Sequence, residues 1–255
     1  MENSWIIFIL AALQMTQCFQ LRSDIRRCQF SDDSCITNSM NYVLRRYGKI
    51  GMPELKFPPL TSAKVDDLEV VENDKKKLIW YHVKGTNMMA YGLENTTITK
   101  VKTDWKQKSL DIYGHIPNLM AKMNYSIKTR ILSFALQSTG HGSVAVKNLR
   151  FLSRSSFIID NRGYVKIYRL AVHTKIDRPV FDLTYVNEDN TDLAIVLNDV
   201  INENWQDVWA EVNPVFENML QHSFITHANN IFSSATYMDL FLPEDEDILK
   251  YKVGA

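Results

Sequence analysis

The stretch from Thr191 to Ala235 constrains the fold most, because its apolar residues recur at the spacing of one long α-helix. At ~1.5 Å per residue, an unbroken helix of this length would span about 60 Å. Pro214 has no amide hydrogen, so we expect it to kink the helix or to divide it into two. After Pro214 the apolar positions cover more than one face of the helix. Other parts of the chain must therefore enclose it.

The region between residues 64 and 187 supplies the enclosing elements, because Val, Ile, Tyr and Thr are frequent in it. Strands are predicted over residues 77–89, 96–105, 109–116, 119–132, 143–152, 164–173 and 180–186. Turns are predicted at Asn73-Asp74, Gly85, Gly92, Gly140 with Gly142, and residues 160–163. Short reversals between consecutive strands favour an antiparallel sheet, and the sheet and helix together indicate one α+β domain.

The segment 119–132 has the clearest strand pattern, because apolar and polar residues alternate along its length. It exceeds the usual ~5 or 6 residues of a strand, so we expect it to curve around an apolar interior. Asn124 falls on its polar, water-facing side. Before the sheet, residues 39–47 have the spacing of a short amphipathic helix, and the proline-rich residues 52–60 are expected to be extended.

The N-terminus resembles a secretory signal peptide, since residues 5–13 form an uninterrupted apolar run. The run is much shorter than the ~20 residues of a membrane span, and small residues at Thr16 and Cys18 permit cleavage after Cys18. The n-region departs from the usual pattern, because it carries Glu2 and no Lys or Arg. We expect residues 1–18 to be a signal peptide and residues 19–255 to form a single secreted domain. A buried N-terminal strand or helix is the alternative, and it lacks an amphipathic period.

Cleavage after Cys18 would leave Cys28 and Cys35 in an oxidising compartment, where we expect them to form a disulfide. Their spacing suits neither zinc nor a Cys-x-x-Cys redox site. Sequons for N-glycosylation at Asn95 and Asn124 agree with secretion, and we expect a glycan on Asn124 at least. The C-terminus has no hydrophobic tail for a lipid anchor, so we expect a free extracellular protein.

The composition argues against several classes of function. Hydrophobic residues make up 45% of the chain, charged residues 23%, and the formal net charge is zero. The basic residues are scattered, so no nucleic-acid partner is expected. The six histidines are dispersed, and neither a Gly-x-Ser-x-Gly nor a His-Glu-x-x-His motif occurs, so we expect no enzyme, metal site or cofactor. An esterase, assembled only by folding, is a third hypothesis that no nucleophile motif supports.

Several short motifs resemble, in their order along the chain, those of the insect Takeout and haemolymph juvenile hormone binding protein family. They are Cys28 and Cys35 before a short helix, Gly51-Met52-Pro53-Glu54-Leu55 with Pro58-Pro59-Leu60, Gly140-x-Gly142, and Leu197-Asn198 with Asn202-Glu203-Asn204-Trp205 before Pro214. The resemblance implies a long C-terminal helix wrapped by a strongly curved antiparallel sheet, with a tunnel for a terpenoid, fatty acyl or similar ligand. His141, Ser143, Ser62-Ala63 and Thr236 depart from the family pattern, which bears on loop geometry and ligand identity.

The candidate ligand contacts are large apolar or amphipathic side chains that the pattern places inside. They are Phe216, Met219, Leu220 and Phe224 in the helix, and Met123, Tyr125, Tyr113 and Tyr168 in the strands. The tyrosines are candidates for orienting a polar head group, although each is equally well explained as a core residue. We expect Phe216, Leu220 and Phe224 to be buried.

Two functions follow from these observations. The first is a monomeric secreted carrier that binds a small hydrophobic ligand, either a juvenile hormone-like terpenoid or a long-chain fatty acid, in an internal apolar tunnel. The second is a secreted signalling or interaction protein in feeding, chemosensory or circadian physiology, which acts through a membrane receptor and has a vestigial tunnel. Organic extraction and mass spectrometry of the native protein distinguish the two.

Overall fold

The computed structural model describes residues 21–72, 74, 76, 79–131, 134–185 and 191–243. The predicted signal peptide, residues 1–18, lies outside the described residues, as does Asn73 of the predicted turn at Asn73-Asp74.

The N-terminal segment is tied to the C-terminal one. Strand β1 (Cys28–Gln29) pairs in parallel with β10 (Phe241–Leu242), and helix α1 (Asp33–Tyr47) follows β1. Cys28 and Cys35 form the predicted disulfide, and both are buried. Helix α1 begins earlier than predicted because the Asp32 side chain accepts a hydrogen bond from the backbone N–H of Cys35, at 2.9 Å, and so caps the helix. The prediction that residues 52–60 are extended is wrong for their first half. A 3₁₀ turn at Pro53–Leu55, followed by Lys56 in the left-handed region, reverses the chain, so that Met52 and Phe57 pair antiparallel.

The main sheet has eight strands, and all of its pairings are antiparallel. Its central order is β2-β4-β6-β7-β8, while β3 pairs with β4, β5 with β6 and β9 with β7. The strands are β2 (Ala63–Lys64), β3 (Leu68–Val71), β4 (Ile79–Tyr91), β5 (Thr97–Asp104), β6 (Ser109–Ile131), β7 (Phe134–Ile159), β8 (Val165–Lys175) and β9 (Arg178–Tyr185). Between β4 and β5 lies a 3₁₀ turn, Leu93–Asn95.

The long hairpin of β6 and β7 forms the centre of the sheet, with strands of 23 and 26 residues. Strand β6 joins two segments that we predicted as separate strands. The predicted turn at Gly140 and Gly142 is wrong, because both glycines lie within β7 and pair with Tyr125 and Met123 of β6. Gly85 likewise lies within β4 rather than in a turn.

Two of the predicted turns are present, and both use a glycine in the left-handed region of the backbone. Gly92 has a φ of 94° where β4 ends, and Gly163 has a φ of 87° between β7 and β8. Residues with a Cβ adopt this conformation at a cost, so glycine is favoured at both reversals.

The C-terminal helical region is divided in two at Asn204, so of the two effects predicted for Pro214, division of the helix is wrong. Helix α2 (Thr191–Glu203) ends before Asn204, and helix α3 (Trp205–Phe232) contains Pro214 in its interior. The interruption at Asn204 is a local departure from helical backbone angles, with φ −105° and ψ 31°, because the N–H of Asn204 still donates to the carbonyl of Val200 at 3.1 Å. The Asn204 side-chain amide donates to the same carbonyl at 2.8 Å. Pro214 is exposed, so water can satisfy the carbonyl that its missing N–H leaves free. A short helix α4 (Tyr237–Leu240) precedes β10.

The sheet curves around α3. This helix contacts β8 near one edge of the sheet and β3 near the other, so the strands between them must bend around it. The predicted α+β fold, a C-terminal helix with a large curved antiparallel sheet, is confirmed.

Asparagine side chains cover the edges of the sheet. Each of four asparagines on the helices accepts a hydrogen bond from the N–H of one edge-strand residue and donates to the carbonyl of that same residue, at 2.7–2.9 Å. The pairs are Asn41 with Ile98, Asn198 with Leu183, Asn202 with Phe181, and Asn229 with Ile167. The amide thereby replaces the peptide group of a missing neighbouring strand, which protects the edge from pairing with another chain.

Candidate ligand-binding interior

One side of α3 provides an apolar surface toward the sheet. Phe216, Leu220 and Phe224 pack against the hydrophobic core, and the ring of Phe224 meets that of Phe151 in β7 edge to face, with centroids 5.9 Å apart. We predicted that these three are buried, and the structure has them only partly buried, since no residue of α3 is fully buried. Their side chains are half-buried and keep apolar surface that a further molecule could cover.

The inner face of the sheet is defined by alternation along β6 and β7. Phe151 lies on this face because it meets α3, and Gly114 of β6 pairs with it and leaves room for its ring. We use "the interior" for the space between this face and Phe216, Leu220 and Phe224 of α3. Met123, half-buried, and Tyr125, 5% exposed, belong to the same face of β6 farther along the hairpin.

The ring of Tyr125 lies across the two glycines of β7. A Cβ on Gly140 would be 3.0 Å from Cε1 of Tyr125, and a Cβ on Gly142 would be 3.3 Å from Cδ1. The tyrosine hydroxyl shares a hydrogen bond of 3.0 Å with the hydroxyl of Ser138. Both glycines therefore give space to the ring rather than reverse the chain.

Two of the predicted tyrosines do not belong to the inner face. Tyr113 is half-buried and lies between Ile112 and Gly114 of β6, so its side chain points to the opposite side of the sheet. Tyr168 is 58% exposed, which is incompatible with a position inside. Met219 is half-buried on α3, but it is not one of the helix residues that pack against the core.

Three serines on the inner face of β7 were not predicted from the sequence. Ser138, Ser153 and Ser155 are the buried polar residues of the described chain. Phe151, Ser153 and Ser155 alternate along β7, which puts both serines on the same face as Phe151. We had predicted that this strand ended at residue 152. The Ser155 hydroxyl donates to the carbonyl of Leu110, at 3.0 Å.

Helix α3 is attached differently at its two sides. Toward β8, Asn229 bonds both backbone groups of Ile167, and Glu217 accepts from the N–H of Thr174 at 2.5 Å. Toward β3 and β4, the Tyr81 hydroxyl donates to Glu211 of α3, at 2.6 Å. No hydrogen bond links α3 to the backbone of β3, both of which are fully described.

The contact between Tyr81 and Glu211 changes the acidity of the phenol. Partial burial, followed by the hydrogen bond to the Glu211 carboxylate, raises the pKa of Tyr81 to about 12. The neutral phenol is favoured in the folded protein, so this contact contributes full stability below pH ~10 and loses it as the pH rises toward 12.

A separate surface cavity of about 390 Å³ lies on the outer face of the sheet. Asn124 lines it, and the Asn124 carbonyl oxygen is 2.8 Å from Nδ1 of His141. Lys122 and Tyr91 line the same cavity, with the Lys122 ammonium 5.7 Å from the ring centroid. The position of Asn124 on the outer face agrees with the prediction from the sequence.

Among the described residues, no helix is both long and apolar enough to cross a membrane. Within the same residues, His, Cys, Asp and Glu side chains form no group of three or more that could hold a metal ion.

The fold and the interior define a class of proteins in which a long helix, enclosed by a curved antiparallel sheet, presents apolar surface to the inside. A sequence profile described as haemolymph juvenile hormone binding protein matches residues 5–242 of the chain. The chain belongs to that family, which confirms the resemblance found in the sequence.

Individual relatives are distant. The circadian clock-controlled protein daywake of Drosophila yakuba is 20% identical over 231 residues, which are 87% of this chain and 88% of the relative. Daywake of Drosophila melanogaster is 20% identical over 235 residues, with the same coverage. The crystal structure of Epiphyas postvittana Takeout 1 superposes with a TM-score of 0.71 at 21% identity, covering 85% of this chain and 99% of that one. This likeness supports the fold.

Proposed function

We propose that this protein is a secreted carrier, not an enzyme, that holds one small hydrophobic ligand between α3 and the sheet. The supporting observation is that α3 meets both sides of a curved sheet and yet has no fully buried residue. Family membership supports the same function, since the family is named for juvenile hormone binding. Phe216, Leu220, Phe224, Met123 and Tyr125 are the proposed contacts, and the ligand is a juvenile hormone-like terpenoid or a long-chain fatty acyl compound.

Burial of apolar surface is sufficient to drive such binding. At ~0.8 kcal/mol per CH₂ group, a chain of about sixteen carbons gains roughly 13 kcal/mol on leaving water. An association cost near the lower end of its range, about 5 kcal/mol, leaves roughly 8 kcal/mol, which corresponds to micromolar affinity. No charged partner in the interior is required.

The carrier function predicts that filling the interior abolishes binding. We expect Leu220→Trp to weaken binding of a fluorescent fatty-acid probe by at least about tenfold, because the indole would occupy space that the ligand needs. Asn218→Trp is the matched control, since Asn218 is exposed on the same helix. Circular dichroism confirms that both variants fold. If the wild-type protein binds no probe, or if both variants bind as the wild type does, the carrier proposal is wrong.

The names of two relatives favour a second function. Two daywake proteins, described as circadian clock-controlled, align over 87% of the chain. A signalling or interaction protein that acts through a receptor, with a vestigial interior, is therefore the alternative. Protein isolated from its natural source should yield a stoichiometric lipid in an organic extract if it is a carrier, and none if the interior is vestigial.

Secretion, processing and the monomeric state are also proposals. Residues 1–18 would be removed, and residues 19–255 would form one mature domain with glycans at Asn95 and Asn124. Asn95 is exposed at the end of a 3₁₀ turn, whereas Asn124 is half-buried on the outer face.

We expect the intact mass of secreted protein to correspond to a chain beginning near Phe19 with one disulfide, plus glycan mass that an endoglycosidase removes. Reduction should add the mass of two hydrogens, because Cys28 and Cys35 are bonded. Asn95→Gln and Asn124→Gln should each remove one glycan. Retention of Met1 in secreted material would contradict the cleavage, and a mass unaffected by either variant would contradict the glycosylation.

A further inference from the structure

One hydroxyl on the inner face has no partner among the residues that the structure describes. Ser138 bonds Tyr125, and Ser155 bonds the carbonyl of Leu110. Ser153 is only 6% exposed, and its hydroxyl makes no hydrogen bond with any part of the chain that the structure describes. The Ser153 hydroxyl is not one of the fully buried polar atoms that lack a partner, so it borders open space where a group from outside the chain can reach it.

The position of Ser153 agrees with a ligand contact. It lies on the same face of β7 as Phe151, whose ring meets Phe224 of α3. Its neighbours in the sheet, Ile112 of β6 and Val172 of β8, are apolar. Ser153 is therefore a polar group within otherwise apolar surroundings.

Helix α3 runs along this part of the sheet. Glu217 is bonded to Thr174 and Asn229 to Ile167, so the turns of α3 between them, with Leu220, lie alongside the stretch of β8 that pairs with Ser153. The hydroxyl thus belongs to the part of the interior that we propose for the ligand.

The charges around this position disfavour an anionic head group. Arg150 and Arg154 alternate with the inner residues of β7, are exposed, and pair with Asp177 and Asp111. The charged group that α3 brings to this part of β8 is the carboxylate of Glu217. A ligand carboxylate placed here would meet this like charge, and the basic group beside it is the exposed ring of His173, with Nδ1 3.7 Å from Glu217, so a neutral head group is favoured.

We propose that Ser153 is the polar anchor of the interior, donating its hydroxyl hydrogen to a neutral oxygen acceptor, such as an ester carbonyl, on a long apolar ligand. This inference rests on the proposed carrier function. The ligand is then an apolar hydrocarbon chain with one uncharged oxygen group, and Ser153 is the residue that selects for this class.

The test compares ligands that differ only in the head group. Methyl laurate, lauric acid and tridecane compete with the neutral fluorescent probe phenylnaphthylamine, on the wild-type protein and on S153A. We expect the wild-type protein to bind the ester better than the acid. S153A should weaken the binding of methyl laurate by about three- to tenfold, the effect of one net hydrogen bond, and leave the affinity for tridecane unchanged.

S155A is the matched control, because the Ser155 hydroxyl is already bonded to Leu110 and should not affect the ratio of ester to hydrocarbon affinity. S153V provides a second variant of larger apolar volume, which should show the same ratio as S153A. If every ligand displaces the probe from the wild-type protein, and S153A and S153V leave the ratio of ester to hydrocarbon affinity unchanged, the proposal that Ser153 is the anchor is wrong. The carrier function is then still supported. If the wild-type protein binds neither the probe nor any ligand, the carrier function is wrong, and the anchor with it.

Discussion

Replacing Gly140 by alanine is expected to lower the free energy of unfolding by about 3 kcal/mol, near the upper end of the cost of overpacking. The new Cβ would be 1.9 Å from the carbonyl oxygen of Thr184 and 3.0 Å from the Tyr125 ring. Thr184 belongs to β9, which pairs with β7, so its carbonyl cannot move away without disturbing the strand pairing. Denaturant unfolding of the two proteins measures the difference.

Gly142→Ala is the matched control for this prediction. There the nearest atom to the new Cβ is Cδ2 of Leu183, at 2.9 Å, the end of a flexible side chain that can rotate. Alanine also costs less conformational entropy on folding than glycine, so we expect a loss of at most about 1 kcal/mol. Equal losses in the two variants would show that the backbone of β9 yields to Gly140→Ala and that the space at Gly140 is not required.

The Gly-x-Gly motif shows where prediction from the sequence fails. Glycine is used both where the backbone reverses and where another group needs the space of a side chain, and the sequence does not distinguish these uses. At Gly92 and Gly163 the first explanation is correct. At Gly140 and Gly142 the second is correct, because Tyr125 pairs with Gly140 from a strand 15 residues away in sequence, and only the register of β6 and β7 reveals it.

The helical region was predictable in extent but not in its interruption. The periodic apolar residues correctly placed a helix on both sides of Pro214, because periodicity reflects burial along the whole length. The break is instead a local change of backbone angles at Asn204, whose side-chain amide also bonds the carbonyl of Val200. An asparagine in a helical pattern does not show which carbonyl its side chain will bond.

The interior was predictable in three of the four helix residues, Met219 being the exception, and in half of the strand residues. Phe216, Leu220 and Phe224 face the core as their spacing indicated, and Met123 and Tyr125 follow the alternation of β6. The face of the sheet on which the other two candidate tyrosines lie was not predictable, because register irregularities shift the alternation of side chains between the two faces. One such irregularity, between Ser156 and Phe157, lies where β7 pairs with β8, the strand that carries Tyr168.

The asparagines at the sheet edges explain a motif that the sequence presented without a reason. Asn198 and Asn202 belong to the family-like stretch before Pro214, and both bond backbone groups of β9, at Leu183 and Phe181. Their partners are separated from them in sequence, so the role emerges only when α2 is placed along β9. Asn229 has the same role for β8.

Replacing Asn229 by leucine is expected to lower the free energy of unfolding by about 2–4 kcal/mol. Leucine has nearly the same shape but leaves the N–H and the carbonyl of the buried Ile167 without a partner, and each unsatisfied group costs about 1–3 kcal/mol. Asn230→Leu is the control, because Asn230 is exposed and should change stability by at most ~0.5 kcal/mol. A loss of the same size in both variants would show that the amide does not replace a strand.

Asn229→Asp tests the same geometry through its pH dependence. The carboxylate can accept from the N–H of Ile167, but its second oxygen would face the carbonyl of Ile167, at the place where the amide now donates at 2.9 Å. This repulsion raises the pKa of the introduced carboxyl in the folded state above its unfolded value, so the protonated form is favoured and can donate to the carbonyl. The stability deficit relative to the wild-type protein should therefore be smallest below pH ~4 and grow as the pH rises through the folded-state pKa. Unfolding of the two proteins side by side from acidic to neutral pH measures this difference, and a deficit independent of pH would mean that position 229 does not face the edge of β8.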